Sequence, residues 1–167
     1  MLPALPAILG NGVGGVVAGV DPGLVGRRVV ASLRGTGGYA ERAVADSAAL
    51  LDIPANLRTE DAAALLADGR TAVMLMGAAV VQADEIVLVE AAAGGVGSLL
   101  VQLASAVGAR VVGAAGGQHK LVLARQLGAS VLVDYTEPGW TERLHAEMGG
   151  VDVVFDGVGG SIGRVAF

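Results

Sequence analysis

Residues 86–100 read Ile-Val-Leu-Val-Glu-Ala-Ala-Ala-Gly-Gly-Val-Gly-Ser-Leu-Leu, and no other stretch limits the fold as strongly. The first four are apolar and mostly β-branched, as in a strand buried on both faces. The Ala/Gly run then allows a tight turn. After it, Leu99, Leu100, Leu103, Ala104 and Val107 recur at helical spacing, so a helix over 97–107 packs one face on the sheet. The same region is apolar enough to raise a membrane span, but Glu90, Gln102 and the Gly94–Gly97 break count against one. A doubly buried strand needs parallel neighbours, and these need crossover helices.

The sequence downstream supplies them. Strands are predicted over 85–90, 110–114, 130–134 and 151–156, and helices over 97–107, 118–127 and 141–148, with another beginning near Ser161. Strict alternation with short connections implies an α/β fold: a partial Rossmann-type parallel sheet with helices on both faces. Upstream, residues 12–51 read as β-rich. Val13–Val20, Arg27–Leu33 and Tyr39–Val44 are strand candidates, and Asp21-Pro22-Gly23 is a turn. One helix is predicted from Thr59 through Ala67, its first turn acidic, and a second from Thr71 to Val81. The organisation expected is a β-rich domain over 1–66 and a nucleotide-binding domain over 67–167.

Composition narrows the function. Hydrophobic residues are 53% of the chain and aromatics 3%, so the core is built from Ala, Val and Leu. The formal charge is −5 with no basic run, so no nucleic-acid partner is expected. There is no cysteine, and the two histidines, His119 and His145, fall on predicted helix surfaces. No metal site is therefore expected, and a reducing cytoplasm fits.

The 86–100 segment places a glycine-rich turn between a strand and a helix, the context that a dinucleotide fingerprint requires. Ala92, Gly94 and Gly97 occupy the three glycine positions. Gly94 would let backbone approach a pyrophosphate, and Gly97 would let helix and strand pack closely. The alternative is a tight turn in some other α/β sheet. NAD sites place an acidic residue about 20 residues beyond the glycines. Here Val112–Lys120 holds no carboxylate, which leaves room for a 2′-phosphate and favours NADP(H). Lys120 supplies charge there, or is an ordinary solvated lysine.

Several segments together resemble the zinc-free quinone reductase (zeta-crystallin-like) branch of the medium-chain dehydrogenase/reductase superfamily. They are Gly37–Glu41 (GGYAE), Ile53–Ala72, Ala91–Gly97 with Val101–Ala104, Leu127–Ala129, Asp134-Tyr135 and Val151–Gly160. The resemblance implies that residues 1–66 are a remnant of a β-rich GroES-like catalytic domain, and that the chain lacks family strands at both ends. It also implies a cofactor set of Thr71 at the nicotinamide end, Ala92, Gly94, Gly95, Val96 and Gly97 at the pyrophosphate, and Gly116, Lys120 and Tyr135 at the 2′-phosphate. Gly157 and Val158 lie along the cofactor, strand 151–156 beside strand 86–90, and Tyr39 near the substrate. The implied activity is zinc-independent hydride transfer from NADPH to a small electrophile, a quinone or conjugated enone. A non-catalytic NADPH-binding fragment or sensor, and an enoyl-reductase module of a larger synthase, remain open. An exposed edge at strand 151–156 leads to an expected homo-dimer or a poorly soluble fragment.

Overall fold

The computed structural model describes residues 6–19 and 21–166. The chain divides into two compact units, the first ending at Ala67 and the second beginning at Asp68.

The first unit holds a three-stranded antiparallel sheet in the order β1-β2-β3, formed by Gly12–Val16, Arg28–Ser32 and Leu51–Asp52. Its core joins Val30 of β2 and Ile53 to Ala62 and Leu66 of the helix that begins at Thr59. Gly14 makes that approach close, since a Cβ there would stand 3.1 Å from the Ala63 Cβ. Arg28 ties β2 to the helix start by donating to the Leu57 carbonyl at 2.6 Å. The first strand is shorter than expected, and Val20 lies outside the described residues. Tyr39–Val44 is not a strand. The Gly38 and Tyr39 N–H groups bond back to Gly10 and Leu9, and Val44 is exposed, with no neighbouring strand among the described residues to complete a ladder.

The two helices predicted over 59–67 and 71–81 are one helix, α1, Thr59–Ala79. The helix runs through Asp68-Gly69-Arg70, since a single interior glycine costs a helix only about 1 kcal/mol and no proline is present. By length and composition α1 could cross a bilayer. Asp68 and Arg70 near its midpoint argue against that, because charges at the centre of a span are costly.

The second unit is a parallel sheet of four strands in the order β6-β5-β4-β7. These are β4 (Ile86–Val89), β5 (Arg110–Ala115), β6 (Val131–Asp134) and β7 (Val153–Phe155). Helices α2 (Gly95–Val107), α3 (Gln118–Gln126) and α4 (Trp140–Met148) make the crossovers, and α5 (Gly160–Val165) follows β7. Strand alternation assigns the faces. Val87, Val89 and Val111 pack with Leu100, Val101 and Ala104 of α2, Ala124 of α3 and Ala72 of α1. Leu88, Val112, Ala114 and Val131 pack with Trp140 and Leu144 of α4 on the other side. Helices thus cover both faces, and β7 lies beside β4 with Val89 opposite Phe155, as expected.

Candidate functional site

The four strands are parallel, so their C-terminal ends lie along one rim, where open α/β sheets bind ligands. The rim loop after β4 begins with Ala91 at φ 48°, a left-handed conformation that is uncommon for a residue with a Cβ. The chain then turns sharply, the Gly94 N–H donating to the Ala91 carbonyl at 2.7 Å, and enters α2 with Gly94 as N-cap. The first α-helical bond of α2 runs from the Ser98 N–H to the Gly94 carbonyl. The N–H groups of Gly95, Val96 and Gly97 therefore fall in the turn that has no intrahelical acceptor, with the positive end of the helix dipole.

Gly97 is buried. A Cβ on it would run into the Ala91 carbonyl oxygen and lie 2.9 Å from that carbonyl carbon and 3.2 Å from the Ala92 Cα. Ala92 itself is fully buried and donates its N–H to Ala114 of β5 at 3.0 Å. A larger side chain at either position would push the loop away from the helix. A cleft of about 430 Å³ opens here, lined by Gly94–Gly97, Glu90 and Ala91, by Asp68 and Leu75 of α1, and by Phe155, Asp156 and Gly157 at the end of β7.

The other expected residues fall into three groups. Gly157 shares the cleft, and Val158 follows it, its N–H donating to Asp156 at 2.9 Å. Gly116 and Tyr135 meet: a Cβ on Gly116 would be 3.3 Å from the Tyr135 ring. Lys120 sits in the first turn of α3, its N–H donating to the Gly117 carbonyl at 3.1 Å. Thr71 is inside α1, on the stripe that carries Asp68 and Leu75. Tyr39 is in the first unit, 78% exposed, with its ring over Gly10. His119 and His145 are exposed, and among the described residues no group of three or more His, Cys, Asp or Glu side chains could hold a metal.

Sequence reasoning missed two carboxylates. Asp134, at the end of β6, accepts from the Gly117 N–H at 2.9 Å and from the Thr136 hydroxyl at 2.6 Å and N–H at 2.9 Å. The Thr136 bonds, then the Gly117 bond, hold its pKa below the usual aspartate value. A carboxylate therefore does stand beside the loop after β5, supplied by the neighbouring strand, and its Oδ2 accepts from the Gly117 N–H of that loop. The other is Glu90, which entered the sequence reading only as an argument against a membrane span. It is 1% exposed, and neither carboxylate oxygen has a hydrogen-bond partner. Burial, followed by the nearby Asp156 carboxylate, pushes Glu90 up to about 7. Asp156 shifts the opposite way, held down first by the Gly159 N–H at 2.6 Å. The signal available in the sequence was a charged residue closing a Val-rich strand just before the glycine turn.

Comparison with known proteins agrees with this geometry. The profile of the zinc-binding dehydrogenase family matches residues 95–166. Quinone oxidoreductase 1 of Escherichia coli (strain K12) is 38% identical over 166 residues, 94% of this chain and 50% of that protein. A 2-haloacrylate reductase from a Burkholderia species is 33% identical over 92% of this chain and 49% of that protein. The crystal structure of Escherichia coli quinone oxidoreductase complexed with NADPH superimposes with a TM-score of 0.91 at 33% identity, over 99% of this chain and 53% of that one. The chain spans about half the length of the curated relatives it matches.

Proposed function

We propose that this chain belongs to the quinone oxidoreductase branch of the medium-chain dehydrogenase/reductase superfamily and forms the cofactor-binding part of a reductase. That enzyme uses NADPH to reduce a quinone or conjugated enone without zinc. The single observation that carries this reading is the cradle at Gly94–Gly97. Three N–H groups at the start of α2 face a cleft, and the Ala91 carbonyl leaves no room for a side chain at Gly97.

In this reading the α2 N-terminus holds the pyrophosphate, and Gly157 and Val158 flank the cofactor beside it. Lys120 and Tyr135, with Gly116 making room, take the 2′-phosphate. Thr71 contacts the nicotinamide end, and Tyr39 serves the substrate. Bound NADPH supplies the hydride. The protein's part is to fix the dinucleotide against the sheet rim through backbone donors that need no reorganisation. The acceptor class is supported by the relatives named for quinones and for 2-haloacrylate, both electron-poor unsaturated compounds. Zinc independence is supported by a sequence without cysteine and with two exposed histidines.

Titration of the chain with NADPH and NADH, followed by cofactor fluorescence, tests the binding site. A preference for NADPH is expected, and equal affinities would refute the 2′-phosphate assignment. Oxidation of NADPH at 340 nm with a simple quinone, before and after chelation, tests the activity. No dinucleotide binding at all would refute the reading.

A further inference from the structure

The cleft that receives a polyanion in the proposed function is lined by carboxylates. Asp68, Glu90 and Asp156 border it, and no Lys, Arg or His does. Asp156 is exposed to water and Asp68 half-buried, but Glu90 is fully buried, and neither of its carboxylate oxygens has a hydrogen-bond partner. Ionised, such a carboxyl is costly, so burial beside Asp156 favours its neutral form. The groups facing it are few. Asp156 comes from the turn after β7, and Asp68 comes from α1, its carboxylate against Gly95 at the start of α2. Helix α2 has no titratable side chain, and β5 presents only small apolar residues beyond Arg110. The one charge of α5, Arg164, donates to its own helix at the Gly160 carbonyl and does not line the cleft.

Resting on the proposed cofactor site, we infer that Glu90 is a proton acceptor coupled to dinucleotide binding: the chain takes up one proton from solvent, onto the Glu90 carboxylate, as the pyrophosphate enters. The balance is simple. An ionised Glu90 and a pyrophosphate repel each other in a cleft of reduced dielectric, whereas the neutral acid does not repel and can donate its proton. Burial has already brought Glu90 to about 7, so an added anion moves it further up. By linkage, affinity is flat below that pH and falls as pH rises above it. Glu90 thus acts as a positioning and affinity-setting residue.

The test is calorimetric titration of the full chain with NADPH at several pH values, in two buffers of different ionisation enthalpy. For wild type, uptake of close to one proton per cofactor is expected at pH 8, with affinity roughly twentyfold weaker at pH 8.5 than at 6.5. Glu90→Gln should lose that uptake and bind with a flatter pH profile; any proton taken up by the 2′-phosphate is common to both proteins and cancels in the comparison. Wild-type binding without proton uptake at pH 8 would overturn the inference and leave the cofactor site standing, whatever the variant does. The inference also fails, with the site intact, if Asp156→Asn abolishes the uptake and Glu90→Gln keeps it. Absence of binding by both proteins at every pH would overturn the site itself and this inference with it.

Discussion

Replacing Glu90 by Gln removes a buried charge at constant volume, and the effect on stability follows from its titration. In the unfolded chain the carboxyl ionises near the ordinary 4.5, and in the folded chain near 7. The folded state therefore binds the proton more tightly. That contribution to stability is fully present below 4.5 and is lost as pH rises through 7. The difference is about 2.5 pH units, worth roughly 3–4 kcal/mol in full at about 1.4 kcal/mol per unit. A glutamine titrates nowhere in this range, and its amide replaces a neutral acid that is equally without partners. Glu90→Gln should therefore gain about 3 kcal/mol over wild type between pH 4.5 and pH 8. Urea unfolding followed by far-ultraviolet circular dichroism measures this. With a denaturant slope of about 2 kcal/mol per molar, the gap between midpoints should widen by about 1.5 M across that range. A gap that stays constant with pH would refute the reasoning, since it would mean that Glu90 ionises in the folded chain as it does in the unfolded one.

Gly97→Ala forces a methyl group against the backbone carbonyl of Ala91, which cannot swing aside like a flexible side chain. A loss of about 1–3 kcal/mol in unfolding free energy is expected, together with loss of NADPH binding, and wild-type affinity in that variant would refute the cradle. Lys120→Ala should weaken NADPH by about 1.5–3 kcal/mol and NADH by far less, measured by paired titrations. Asp134→Ala releases the Gly117 and Thr136 N–H groups, so NADPH affinity should fall. Because Asp134 titrates below its ordinary 3.8, its stabilising effect is present above that value and is lost as pH falls. The stability gap between wild type and Asp134→Ala should therefore close in acid, and a pH-independent gap would count against the bonds described.

The β4–turn–α2 unit was legible in the sequence because the physics that makes it is local. An apolar run bounded by Gly94–Gly97 and followed by leucines at helical spacing admits few other structures, and the alternation after it implied the parallel sheet. The single α1 and the missing strand at Tyr39–Val44 were not legible. A helix crosses a glycine when packing on both sides sustains it, and a strand exists only where another chain segment completes its ladder. Asp134 reaches the loop after β5 only because β5 and β6 are parallel neighbours, with Ala115 opposite Asp134. Glu90 depended most on the fold. Val89 and Phe155 are register partners, so β7 brings Asp156 beside Glu90, while the packed loop and helices exclude the water that would have kept its carboxyl ordinary. Sequence determined where backbone could make an anion cradle, since that rests on residues next to one another. Which charges stand around the cradle, and in what protonation state, was decided by burial and by contacts between segments far apart in the chain.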